Sequence, residues 1–267
     1  MLITFIGGGN MATALISGLA NPPKAHLQIR VCDPNDQARN HLENTFGVPT
    51  YTDAGAATKG ANVIVLAVKP QTMPLVLADL KGQTEPGQLV LSIAAGVTIS
   101  SISDELGNDL AVIRSMPNTP ALIGHGITGV VAGHPCTGRQ RDQAEEILSA
   151  AGEVVWLEDE SLMDAVTAIS GTGPAYFFLL TEALAAAARE LGLPAETATR
   201  LASVTCFGAG AMVASSPGEA DELRRRVTSP GGTTQAAMVV MKDGKFRELV
   251  FQAAKAAMDR SRELALK

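Results

Sequence analysis

The chain has 267 residues, of which 46% are hydrophobic, and a formal charge of −6. That length suggests two domains and that apolar content a buried core, while the scattered Lys and Arg exclude a positive field for nucleic acid or anionic lipid. The three cysteines, Cys32, Cys136 and Cys206, are too widely spaced for a disulfide framework or a ligand-spaced metal site; no metal is expected, and a reducing, cytoplasmic compartment is.

Met1–Ile6 is apolar, lacks a basic n-region and runs straight into glycines, which predicts a strand rather than a signal peptide. Further strands are predicted at 27–32, 63–68, 89–93, 111–114, 127–132 and 154–157, alternating with helical patterns such as Ala12-Leu15-Ile16-Leu19. This alternation predicts an α/β, mostly parallel, doubly wound sheet of the Rossmann type over residues 1–157, with its ligand at the carboxyl ends of the strands. Apolar runs such as Asn62–Val68 are too short for a bilayer, which needs about 20 residues, so no membrane contact is expected.

Beyond Trp156 the strand signals stop. Helices are predicted at 162–169, 175–191, 195–214, 219–227 and 234–267, separated by Gly171–Pro174, Gly192–Pro194, Ser215–Gly218 and Thr228–Thr233. Residues 158–267 therefore read as an all-α domain, and Arg224-Arg225-Arg226 within it as a solvated helix face. Two stretches, Ala183–Ala188 and Gly208–Ala211, are poor in bulky side chains and allow close helix packing, either within the chain or against a second subunit across a two-fold axis.

Gly7-Gly8-Gly9-Asn10-Met11-Ala12 spells G-x-G-x-x-A between a strand and a helix, the context that makes this motif a dinucleotide site. Gly7 permits the turn, Gly9 admits the pyrophosphate, and Ala12 keeps the helix close to the sheet; Ile6, Gly8, Asn10 and Met11 complete the expected contacts. Asp33 ends the second strand, where a carboxylate accepts from the adenosine ribose diol and repels a 2′-phosphate, with Arg30 and Arg39 as unplaced phosphate partners. Taken alone it favours NADH over NADPH, although Asp33-Pro34-Asn35 also reads as turn and helix-cap chemistry. Ala67-Val68-Lys69-Pro70 and Ala94-Ala95 close two core strands and are expected to border the nicotinamide half, Lys69 as a solvated side chain.

A second glycine-rich motif, Thr228-Ser229-Pro230-Gly231-Gly232-Thr233-Thr234, opens the last predicted helix. Its backbone N–H groups, a helix N-terminus and two hydroxyls suit an anion, and Ser229, Gly231, Gly232, Thr233 and Thr234 are the candidate substrate-binding residues. The segment between the domains, Ile169–Phe178, holds no His, Lys or carboxylate to deprotonate an alcohol, and the four histidines lie outside both glycine-rich motifs. A nicotinamide site without such a base suits a substrate already activated, such as a protonated imine carrying a carboxylate.

Five motifs in order resemble the pyrroline-5-carboxylate reductases: Phe5–Ala12, Ala67–Gln71, Ser115–Pro120, Ser170–Tyr176 and Val227–Thr234. The resemblance covers nearly the whole chain. It implies reduction of (S)-1-pyrroline-5-carboxylate to L-proline by NADPH or NADH, and a Rossmann domain followed by a helical domain that forms a homodimer able to assemble further. It also implies that the loop backbone at 229–234 holds the ring carboxylate, that Thr234 meets the imine nitrogen as hydrogen-bond partner or proton donor, and that Asn118 lies near the nicotinamide. The site would straddle two subunits. Thr172 stands where this family usually has serine, and Asp33 where many relatives carry small or basic residues and prefer NADPH. A β-hydroxyacid dehydrogenase and a non-catalytic dinucleotide sensor are the alternatives.

Overall fold

The computed structural model describes residues 1–265 except Pro23, Asn108 and Pro217. Pro217 of the predicted Ser215–Gly218 break, and the last two residues of the predicted C-terminal helix, lie outside the described residues. Strand β1 (Leu2–Ile6) lies between β2 (Gln28–Cys32) and β4 (Val63–Leu66); β3 (Thr50–Tyr51) extends the sheet beyond β2. On the other side follow β5 (Leu89–Ser92), β6 (Ala111–Met116), β7 (Gly126–Ala132) and β8 (Gly152–Trp156). Among the described residues these eight strands form one sheet, parallel throughout except where β7 meets β6. The link between those two contains only a 3-10 turn at Thr119–Ile123, too short for the crossover of about a dozen residues that a parallel pair requires.

Both faces of the sheet are covered, which explains strands that are apolar at every position. Ile3, Phe5, Val63, Val65, Leu89 and Leu91 pack on one face with α1 (Asn10–Ala20), α2 (Asp36–Phe46) and α6 (Gly138–Leu148). Ile6, Ile64, Leu66 and Val90 face the opposite way, onto α3 (Ala54–Thr58), α4 (Met73–Leu80) and α5 (Ile99–Leu106). The doubly wound sheet expected from the strand–helix alternation is therefore present. Strand order reverses between β1 and β4, and ligands of such sheets bind beyond the carboxyl ends at that point.

The rest of the chain is helical: α7 (Met163–Val166), a π turn at Thr167–Gly171, α8 (Gly173–Glu190), α9 (Ala195–Ser215), α10 (Ala220–Arg226), α11 (Thr233–Asp243) and α12 (Phe246–Ala265). The chain divides into two compact units, one of residues 1–172 together with the segment from Ala257 onward, the other Gly173–Ala256. The end of α12 belongs with the first unit because the Ser261 hydroxyl donates to Asp164 (2.7 Å) and Arg262 pairs with the same carboxylate. In the second unit α8 and α9 pack on each other, and Arg225 and Arg226 of α10 pair with Asp221 and Glu222 along one exposed face.

Several elements depart from the sequence expectation, among them the helix predicted at 162–169, which is only the four-residue α7 followed by the π turn. The two-residue β3 has too little length for any periodicity, and pairing with β2 alone defines it. The single helix predicted from 234 onward is broken between α11 and α12, where Lys245 takes a left-handed φ of 54° that a non-glycine residue rarely adopts.

Candidate functional site

The glycine-rich loop leaves β1 with the Gly7 N–H donating to the Cys32 carbonyl (2.8 Å). Gly7 has φ of 103°, and a Cβ there would lie 2.6 Å from the Ala67 carbonyl oxygen, so the turn out of β1 and the end of β4 touch only because Gly7 has no side chain. Gly8 is packed as closely, against Leu42. Gly9 differs: a Cβ built on it meets nothing within 4 Å. Gly9 is also the N-cap of α1 and makes no side-chain cap, whereas α2, α3, α5 and α6 are capped by Asn35, Asp53, Thr98 and Thr137. Open space before the uncapped N–H groups of Asn10, Met11 and Ala12 fits a pyrophosphate, so these residues suit a dinucleotide.

Asp33 stands beside this loop. Its Oδ2 accepts from the Gly8 N–H (2.7 Å) and its Oδ1 from the Asn35 N–H (2.8 Å). Arg39 donates to the Asp33 carbonyl oxygen (2.7 Å) and to the Asp36 carboxylate. Arg30 points elsewhere, to the Lys59 carbonyl (3.1 Å) and over the Tyr51 ring. Beneath Asp33, burial, and then the nearby carboxylates of Asp33 and Asp53, push the Cys32 thiol up to about 11.

At the ends of the next strands Ala67 and Val68 are half-buried, Lys69 is exposed and Pro70 starts a 3-10 turn, while Ala94 is buried behind the half-buried Ala95. The Asn118 side chain is turned inward: its amide nitrogen donates to the Ser170 carbonyl (3.1 Å) and its oxygen accepts from the Ile127 N–H (3.0 Å). It thereby fastens the π turn to the start of β7. The Met116 methyl lies where a Cβ on Gly171 would be, 2.5 Å away, so the Met116-Pro117-Asn118 stretch and the π turn meet directly. A π turn holds backbone in a rare geometry often found at functional positions. The Thr172 hydroxyl closes this one by donating to the Thr167 carbonyl (2.9 Å).

The sequence did not single out the buried Arg114. It donates to Glu160 (2.8 Å), whose same oxygen accepts from the Ile99 N–H (2.9 Å), so the pair clips the loop after β5 to the segment after β8. An arginine amid the apolar pattern of β6 was its only signal.

In the second unit the Thr228–Thr234 loop is shaped by its own contacts. Gly231 has φ of 70°, and a Cβ on Gly232 would meet the Ser229 Oγ at 2.6 Å. The Gly231 N–H donates to the Gln235 side chain and the Gly232 N–H to the Ser229 carbonyl (3.1 Å). Gln235 is the third residue of α11, the capping-box position, so the sequence carries a signal for this contact. The first helical bond of α11 runs from the Ala236 N–H to the Gly232 carbonyl. The N–H groups of Thr233, Thr234 and Gln235 precede it and have no helical acceptor; the helix has no side-chain cap. Among the described residues the Thr234 hydroxyl makes no hydrogen bond.

Comparison with known proteins gives a consistent pattern. Residues 160–264 match the family model for pyrroline-5-carboxylate reductase dimerisation, and residues 2–96 the model for NADP oxidoreductase, coenzyme F420-dependent. The chain is 47% identical to the pyrroline-5-carboxylate reductase of Pseudomonas aeruginosa over 98% of its length and 96% of the relative's. It is 40% identical to that of Haemophilus influenzae, covering 98% and 97%. Its structure matches a pyrroline-5-carboxylate reductase from Coxiella burnetii with a TM-score of 0.93 at 40% identity, covering 98% of both chains. It also matches the Plasmodium falciparum pyrroline carboxylate reductase with NADP bound, TM-score 0.86 at 28% identity, covering 99% and 98%. Among the described residues no helix is long and apolar enough to cross a membrane.

Proposed function

This chain belongs to the pyrroline-5-carboxylate reductase family, and from that membership we infer that it reduces (S)-1-pyrroline-5-carboxylate to L-proline with NADPH or NADH. It is an oxidoreductase acting on a C=N bond, in the last step of proline synthesis. The reduced nicotinamide supplies a hydride to the imine carbon, and a protonated imine becomes the secondary amine without further proton transfer. The observation that carries this reading is the pairing of an uncapped helix behind Gly9 with a second uncapped helix behind Gly232, one for a pyrophosphate and one for a carboxylate.

Residues 1–157 are assigned to dinucleotide binding and 158–267 to substrate binding and dimerisation. Ile6, Gly7, Gly8, Gly9, Asn10, Met11, Asp33, Ala67, Val68, Lys69, Pro70, Ala94, Ala95 and Asn118 form the dinucleotide site. In it Asn118 acts through the π turn that its side chain anchors. The carboxylate is held at the loop of Ser229, Gly231, Gly232, Thr233 and Thr234. There the glycine N–H groups shape the loop through Gln235 and Ser229, leaving the first N–H groups of α11 as donors. The Thr234 hydroxyl, without a hydrogen bond among the described residues, is the partner of the imine nitrogen: it accepts from the N–H of a protonated imine or donates to an unprotonated one.

The protein acts as a homodimer, able to assemble further, in the cytoplasm. Exposed Phe177, Phe178, Leu201, Val204 and Phe207 on α8 and α9 support a second copy covering this face. The hinge holds no base that would suit a hydroxyacid dehydrogenase, and a sensor would have no use for the second anion loop. The test is turnover: purified protein with the imine and either NADH or NADPH consumes the nicotinamide absorbance and yields proline. Absence of turnover with both cofactors overturns the reading.

A further inference from the structure

We propose that the loop joining β2 to α2 selects NADH over NADPH, with Asp33 as the specificity-determining residue. The inference rests on the dinucleotide site proposed above and deepens it. A 2′-phosphate needs donors and positive charge; a free ribose diol needs acceptors. Three features around this loop could have served a phosphate, and the structure engages each of them elsewhere. The Arg39 side chain, only 16% exposed, is held through its guanidinium by the Asp33 carbonyl oxygen and the Asp36 carboxylate. Arg30 is directed to the Ala57 and Lys59 carbonyls and the Tyr51 ring. The N-terminus of α2 is closed by Asn35, whose Oδ1 accepts from the N–H groups of Gln37 (2.8 Å) and Ala38 (3.2 Å).

What remains is an acceptor. The two oxygens of Asp33 are held by one N–H each, from Gly8 and Asn35, and each carboxylate oxygen retains a further lone pair. The bond to Gly8 ties the carboxylate to the same loop whose Gly9 faces the pyrophosphate space, so its position relative to a bound adenosine ribose is set before ligand arrives. A diol donates to such a group. A 2′-phosphate, with a charge of about −1.5 to −2, is repelled by it, and the neighbouring cation, Arg39, is already paired with Asp36.

The test is calorimetric binding of NADH and NADPH to the full-length protein, without substrate, for the parent and for Asp33→Asn. The isosteric amide keeps one oxygen for the Gly8 N–H and removes the charge. NADH is expected to bind the parent at least about tenfold more tightly than NADPH, and Asp33→Asn to close that gap mainly by tightening NADPH. Adenosine 2′,5′-bisphosphate and AMP, which lack the nicotinamide, should show the same order and the same change. Equal or tighter NADPH binding by the parent overturns the proposal, as does an unchanged ratio in Asp33→Asn. Binding of neither dinucleotide would bring down the proposed reductase function as well, which separates the two failures.

Discussion

The two units of this protein handle similar apolar sequence in opposite ways. Helix α1, eleven residues long, buries Ala12, Ala14, Leu15, Ile16 and Leu19 against the sheet. Helix α8, eighteen residues long, buries only Gly173 and Ala185, and among the described residues α10 and α11 bury none. Phe177, Phe207 and Phe251 are 62%, 73% and 69% exposed. A sheet with helices on both faces completes its core within one chain, whereas a few helices packed side by side leave their outer stripes without a partner. The contrast fits the proposal that one subunit builds the dinucleotide site while a second copy covers the helical unit.

The largest effect that would break this comparison is expected from Phe207→Glu on α9. A carboxylate forced into a desolvated apolar contact costs several kcal/mol, so the dimer should dissociate and imine turnover fall by at least about 100-fold. Dinucleotide affinity should stay within about twofold, because the first unit carries its own core. Light scattering and calorimetry read the two halves; a fully active monomer would show that the helical unit has no need of a second copy. Next in size is Thr234→Ala, which removes one hydrogen bond to a charged group, worth about 1.5–3 kcal/mol or roughly 10–100-fold in kcat/KM. Steady-state kinetics should show that loss with cofactor affinity intact, and an unchanged rate removes Thr234 from the chemistry.

The smallest effect tests the density of the first unit. With the Cys32 thiol pushed up to about 11, its folded form stays protonated as pH rises through the range where an unfolded thiol ionises. At pH 8 only about one molecule in a thousand carries the thiolate. Alkylation by iodoacetamide at that pH should leave the Cys32 peptide unmodified in the native protein and modify it after denaturation, as followed by mass spectrometry. Rapid native labelling would mean that the sheet opens at the very edge where Asp33 holds the glycine loop.

Much of the first unit was legible because its signals are local. Strand–helix alternation predicted the sheet, G-x-G-x-x-A between β1 and α1 predicted an open helix N-terminus, and the spacing to Asp33 placed a carboxylate beside it. The Ser229–Thr234 loop was legible as a glycine-rich helix start for the same reason: turn residues, glycines and a helix start are contiguous in the chain. Arg114, Glu160 and Ile99 were not, since the three meet only when β6 and the segments after β5 and β8 are brought together. The inward turn of Asn118 toward Ser170 was also hidden, because the two lie 52 positions apart.

The sequence by itself determined the order of elements, the two glycine-rich helix starts, the missing base in the hinge and the family resemblance, all properties of neighbouring residues and their periodicity. Only the tertiary structure decided which donors in those motifs are open. It tied the Gly8 N–H to the Asp33 carboxylate, set Gly7 against the Ala67 carbonyl, and turned the Asn118 amide onto Ser170. A hydrogen-bonding group can serve a ligand only where the fold has left it unpaired, and pairing is settled by which chain segments come within about 3 Å of one another, not by the identity of the residue alone.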